Sequence, residues 1–99
     1  MLTPRMKRRI RHELSQEKPT VWVGKEGVTS QIVDEISKQL ERREVLKGRI
    51  LKTALKEEEA RSIAAKVAQQ TESTLVDVRG HTFAIYKRRK KRDIARQTV

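Results

Sequence analysis

The stretch TVWVGKEGVTSQIVDEI, Thr20 to Ile36, starts as a β-strand and ends as an amphipathic helix, with Gly24-Lys25-Glu26-Gly27 between them. Val21-Trp22-Val23 is a continuous apolar run, the pattern of a strand covered on both faces. Thr29 stands at the N-cap of the helix. Ile32, Val33, Ile36 and Leu40 then recur at helical spacing, with Gln31, Asp34, Glu35, Lys38 and Arg42 on the opposite side. The two glycines have separate expected uses. A glycine that ends a strand, Gly24, allows backbone angles closed to other residues. A second one, Gly27, lets another chain approach without a Cβ in the way. The turn also opens onto a helix N-terminus, whose unpaired N–H groups and partial positive charge attract phosphate.

Upstream, Thr3-Pro4 reads as an N-cap followed by proline at the first helical position. Met6, Ile10 and Leu14 form one narrow apolar stripe among Arg5, Lys7, Arg8, Arg9 and Arg11, and the helix should end near Gln16, before Lys18-Pro19. Downstream, Val45 to Thr53 reads as a second strand in which Leu46 and Ile50 alternate with Lys47, Arg49 and Lys52. Gly48 in its middle costs about 0.5–1 kcal/mol; either a neighbouring side chain fills that space or the strand bends there. Glu57-Glu58-Glu59 stands at the start of a third helix, where acids suit the dipole. Its apolar face is Ala60, Ile63, Ala64, Val67 and Ala68, and it ends around Gln70. Leu75–Val78 and Phe83–Tyr86 are two more strands, joined by a hairpin through Arg79 to Thr82. The order α-β-α-β-α-β-β implies an α/β (α+β) fold, a four-stranded mixed sheet with three helices. The two β-α-β steps favour parallel neighbours, and the closing hairpin is expected to add an antiparallel edge.

A chain of 99 residues suffices for one small domain. With three aromatics, Trp22, Phe83 and Tyr86, its core must be mostly Ile, Leu, Val and Ala. The absence of cysteine removes disulfides, thiolate metal sites and cysteine nucleophiles. No apolar run approaches the ~20 residues that span a bilayer, and no 7–15-residue apolar secretory stretch stands at the start. The expectation is a soluble, cytoplasmic monomer.

The formal charge is +11, distributed as +4 over residues 1–19, +2 over 20–53, −1 over 54–79 and +6 over 80–99. Cations at both chain ends point to a polyanion partner. Arg8 and Arg9 on the first helix, and Lys87, Arg88, Arg89, Lys90 and Lys91 in the closing run, are the candidate phosphate contacts. In the glycine turn Lys25 supplies a cation that Glu26 cancels, so this loop should act through backbone N–H groups and shape. GxxxxGK[ST] and GxGxxG are both absent, which leaves nucleotide hydrolysis unsupported. His12 and His81 have no evident partner, and the three consecutive glutamates point around a helix axis rather than at one point. No catalytic residue, metal site, cofactor or small-molecule substrate is expected, and no enzymatic activity. Membrane binding by the first helix is disfavoured, because its stripe is needed to cover the sheet. The shortage of aromatics argues against base stacking as the main mode. That leaves backbone and shape recognition of structured RNA or, as the alternative, a DNA-binding architectural protein.

A GxxG loop clamping a nucleic-acid backbone is the device of KH domains, where it joins two helices; here it joins a strand to a helix. With that difference, the basic first helix running into KPTVWVGKEGVT, the helix SQIVDEISKQLERRE, the strand EVLKGRI and the closing VDVRGHTFAIYKR resemble the CRM domain (chloroplast RNA splicing and ribosome maturation) in its free-standing YhbY-like form. The resemblance covers Thr3 to Arg88, so residues 1–88 are read as a single domain and 89–99 as a basic tail expected to be flexible. It departs from the family pattern at Glu26, Gly48, Ile85 and Lys87. It implies an RNA-binding domain with a fold similar to the C-terminal domain of bacterial translation initiation factor three. Free-standing bacterial members associate with precursors of the large ribosomal subunit, so ribosomal RNA is the implied partner. Gly24 and Gly27 carry over as the loop glycines, Lys25 and Glu26 as its tip, and Thr29 as the cap behind it.

Overall fold

The computed structural model describes residues 2–56 and 59–88. The elements are α1 (Pro4–Ser15), β1 (Val21–Val23), α2 (Ser30–Arg43), β2 (Val45–Ile50), a 3-10 turn (Lys52–Lys56), α3 (Ala60–Gln70), β3 (Thr74–Arg79) and β4 (Thr82–Tyr86). Thr3 caps α1 by accepting a hydrogen bond from the Met6 N–H at 3.1 Å, with Pro4 beginning the helix. Thr29 caps α2 in the same way, accepting from the Ile32 N–H at 3.2 Å. At the other end of α2, Glu44 turns left-handed, its N–H donating to the Leu40 carbonyl. Glu59 occupies the N-cap position of α3 without a side-chain capping bond; Glu57 and Glu58 lie outside the described residues.

The four strands form one mixed sheet in the order β1-β2-β4-β3. β1 and β2 are parallel, while β4 is antiparallel to both β2 and β3. The closing hairpin thus adds the expected antiparallel edge, with β3 outermost, while the second β-α-β step is corrected: β2 and β3 are not neighbours, because β4 lies between them. The sequence of β4 explains its position. Phe83, Ala84 and Ile85 are consecutively buried, so this strand gains most from cover on both faces. β3 carries Thr74, Asp77 and Arg79 and a register irregularity between Leu75 and Asp77, features suited to an edge.

Val21 and Val23 are fully buried, but Trp22 between them is 52% exposed. The reading of β1 as a strand covered on both faces is thus also corrected. β2 ends at Ile50, earlier than the expected Thr53, and the chain passes into the 3-10 turn, whose Ala54 joins the core.

Alternation along the strands divides the core in two. Val21, Val23, Leu46, Ile50, Phe83 and Ile85 pack with Ile36 and Leu40 of α2 and Ile63, Ala64, Val67 and Ala68 of α3. On the other face Ile10 and Leu14 of α1 pack with Val76 and Ala84. Ile10 and Leu14 of the α1 stripe thus cover the sheet as expected, while Met6 at its start is exposed. Lys47 fastens the end of that helix: its Nζ donates to the Leu14 carbonyl at 3.1 Å and the Glu17 carbonyl at 3.0 Å. The Leu14 carbonyl is among the last four of the helix, and Glu17 follows its C-cap.

Candidate nucleic-acid interface

The loop Gly24–Gly27 leaves β1 at the end of the sheet where β2 also finishes. The Gly27 N–H donates to the Gly24 carbonyl at 2.9 Å, closing the turn. Lys25 and Glu26 are exposed at its tip, and Thr29 sits behind it at the mouth of α2. The special backbone angle expected at Gly24 lies instead at Gly27. Gly27 has φ +72°, a left-handed conformation that disfavours other residues. Gly24 needs no positive φ, and a Cβ there would make only an ordinary 3.6 Å contact with Leu51 Cδ1. Nothing lies within 4 Å of where a Cβ at Gly27 would stand. Gly27 thus shapes the turn, and Gly24 adds no positive-φ demand of its own.

The same end of the sheet gathers other segments. The Leu51 N–H donates to the Val23 carbonyl at 2.9 Å, and the Ile50 N–H to the His81 carbonyl at 2.6 Å. These bonds bring the start of the 3-10 turn and the Arg79–Thr82 hairpin beside the glycine loop. Gly80 makes that hairpin possible, with φ +59°. Leu51 is itself 39% exposed.

The other expected contacts are placed elsewhere. Arg8 and Arg9 are exposed on α1, on the opposite face of the sheet from α2 and α3. Lys87 follows β4 at the far end, since its N–H donates to the Glu44 carbonyl at 2.8 Å. Its Nζ donates to the Thr71 carbonyl at 3.0 Å, so this ammonium is tied to the end of α3. Arg88 is exposed beside it. β2 has six residues, so the two ends of the sheet are separated by about 20 Å. The loop and the Lys87-Arg88 pair do not form one compact site. Arg89, Lys90 and Lys91 lie outside the described residues.

The sequence reading missed a cleft between α1 and the sheet, lined by Arg11, Ser15, Lys47, Asp77, Arg79 and Thr82 among others. The alternation of Lys47 and Arg49 with Leu46 and Ile50 was the available signal, because it sets both cations on one face of β2. No group of three or more His, Asp or Glu side chains among the described residues could hold a metal ion. No helix among them is long and apolar enough to cross a membrane.

The model of the CRS1 / YhbY (CRM) domain matches residues 2–87. A probable RNA-binding protein of Methanocaldococcus jannaschii is 36% identical over 88 residues, which cover 89% of this chain and 65% of that protein. The chain thus spans less than two thirds of the archaeal relative. Probable RNA-binding protein YqeI of Bacillus subtilis is 33% identical over 90 residues, covering 91% of this chain and 92% of that one. The solution structure of a Staphylococcus aureus protein proposed to bind RNA superposes with a TM-score of 0.76 at 29% identity, covering 91% of this chain and 92% of its own. A family match spanning every element described above, joined to a shared fold, leaves one assignment: the chain belongs to the CRS1 / YhbY (CRM) domain family.

Proposed function

We propose that this protein binds structured RNA, with the Gly24–Gly27 loop laid against the phosphate backbone at the N-terminus of α2. One observation carries the reading: Gly24 occupies a position where its backbone does not require glycine and where only Leu51 would meet a Cβ. A bare backbone next to a helix N-terminus admits a phosphate chain closely. The names of the archaeal and Bacillus relatives point to the same class of ligand. The role is binding rather than catalysis, in the cytoplasm, as a monomer. The likeness to free-standing members of the family favours ribosomal RNA of the large subunit, during its assembly.

Fluorescence anisotropy with a labelled large-subunit RNA fragment, competed by duplex DNA at matched salt, tests this. RNA should compete much more strongly than DNA. Equal competition would make the protein a DNA-binding architectural factor, and no binding of either would refute the reading.

A further inference from the structure

Trp22 is 52% exposed on an edge strand, the most exposed large apolar side chain among the described residues. Its neighbours form a pattern across the sheet. Trp22 on β1 is in register with Arg49 on β2, Arg49 with Thr82 on β4, and Thr82 with Arg79 on β3. Residues in register on adjacent strands point to the same face. The row therefore crosses all four strands on the face that α1 only partly covers. Strands lie about 4.8 Å apart, so the row is roughly 14 Å long, with its two guanidinium-bearing positions about 10 Å apart.

The row adjoins the site already described, because Trp22 stands two residues before Gly24. Arg49 and Arg79 are exposed and form no salt bridge among the described residues. Arg11 reaches the same area from α1, lining the cleft with Arg79 and Thr82. Asp77, also in that cleft, is the one acid lining it. An exposed indole flanked by cations, with a polar surface leading away from it, is chemically suited to a single strand of nucleic acid. The indole offers a stacking face for a base of any sequence, and the arginines meet its phosphates.

We infer that the row Trp22-Arg49-Thr82-Arg79 binds an unpaired segment of RNA running across the strands, one base stacked on Trp22 and phosphates on Arg49 and Arg79. This rests on the RNA-binding reading above and extends it. The glycine loop receives backbone from a structured part of the ligand, while the sheet face receives a single-stranded part adjacent to it.

Trp22 is the single tryptophan of the chain, so intrinsic emission reports this residue alone. The test titrates the full chain with an unlabelled single-stranded oligoribonucleotide of about ten nucleotides, within the range bound by single-strand platforms. The same oligonucleotide, end-labelled, gives affinity by anisotropy for wild type, Trp22→Phe, Trp22→Ala and Arg49→Gln. Thermal melting checks that each variant is folded, and the structured RNA fragment is measured in parallel. The expected result is quenching of Trp22 emission and a loss of affinity in Trp22→Ala of roughly five- to a hundred-fold, largely restored by phenylalanine. Arg49→Gln should bind more weakly with a shallower salt dependence. Absence of quenching, or unchanged affinity in folded Trp22→Ala, would overturn the inference. If the structured fragment still bound under those conditions, the glycine-loop reading would stand. Failure of wild type to bind either RNA would overturn both. Equal affinity for single-stranded DNA of the same sequence would overturn the assignment of RNA to this row.

Discussion

Gly48 on β2 and Phe83 on β4 face each other in register, and the Phe83 ring fills the space in which a side chain at 48 would stand. A Cβ at 48 would fall within the van der Waals envelope of Cζ, Cε1 and Cε2 of that ring. Phe83 is 2% exposed and belongs to the core shared with α2 and α3. The glycine in the middle of β2 is thus the counterpart of the largest buried side chain on β4, and the pair fits β4 into the interior of the sheet.

Gly48→Ala should therefore destabilise the protein by about 1–3 kcal/mol through overpacking, despite the better strand propensity of alanine. In a domain of this size each kcal/mol lowers the melting temperature by roughly 4–8 °C. Combining it with Phe83→Leu should cost less than the sum of the two single changes, with a coupling of about 0.5–3 kcal/mol. Strict additivity in chemical denaturation would show that the ring and residue 48 do not compete for space.

Lys47 carries a different load. Its ammonium holds the Leu14 and Glu17 carbonyls, joining the end of α1 to the sheet. Lys47→Met keeps most of the apolar stem and removes both charged hydrogen bonds. A loss of about 1.5–3 kcal/mol is expected, read as a lower urea midpoint with little change in slope. An unchanged midpoint would mean that α1 is held by Ile10 and Leu14 alone.

The parts of the fold most legible in the sequence were those governed by local chemistry. Thr3-Pro4 and Thr29 announce helix starts through capping, and the observed bonds to Met6 and Ile32 follow. The burial of Ile63, Ala64, Val67 and Ala68 follows from helical spacing. Strand order was less legible because it depends on distant segments. Nothing near Val21-Trp22-Val23 says that β1 will be an edge, and nothing near Phe83 says that Gly48 will receive its ring. At the candidate site, the loop and its cap were readable from Gly24 to Thr29. Trp22 was misplaced because an apolar triplet reads alike in a covered strand and in an edge strand with one face buried. The special backbone angle falls at Gly27 rather than Gly24, because a glycine's φ is not written in its neighbours.

The left-handed backbone of Gly27 makes a clear demand. Gly27→Ala should destabilise folding by about 1–2 kcal/mol, and Gly27→Asn by less, since asparagine tolerates that conformation better. Melting curves of the two variants give the comparison. Equal stability of both with wild type would mean that the turn changes shape freely.

RNA affinity should fall steeply with salt. For about five neutralised phosphates, log K should decline against log salt with a slope of roughly −3.5 to −4.5. Replacing the cations from Arg88 to Arg92 while keeping Lys87, whose ammonium is bound to the Thr71 carbonyl, should weaken all RNAs about equally and make the slope shallower. A slope unaffected by those replacements would assign the run no phosphate contacts.

The most direct test of the account is Gly24→Asp, measured for melting temperature and for affinity to one large-subunit RNA fragment. The position has no positive-φ requirement, and a Cβ there makes only an ordinary contact with Leu51. The melting temperature should stay within about 4 °C of wild type, the shift produced by roughly 0.5 kcal/mol. The added side chain and charge would stand where phosphate approaches, and affinity should fall by about 1–3 kcal/mol, the scale of a charge-assisted hydrogen bond. Native stability with undiminished RNA affinity would contradict the account, because the bare backbone at Gly24 would then face nothing.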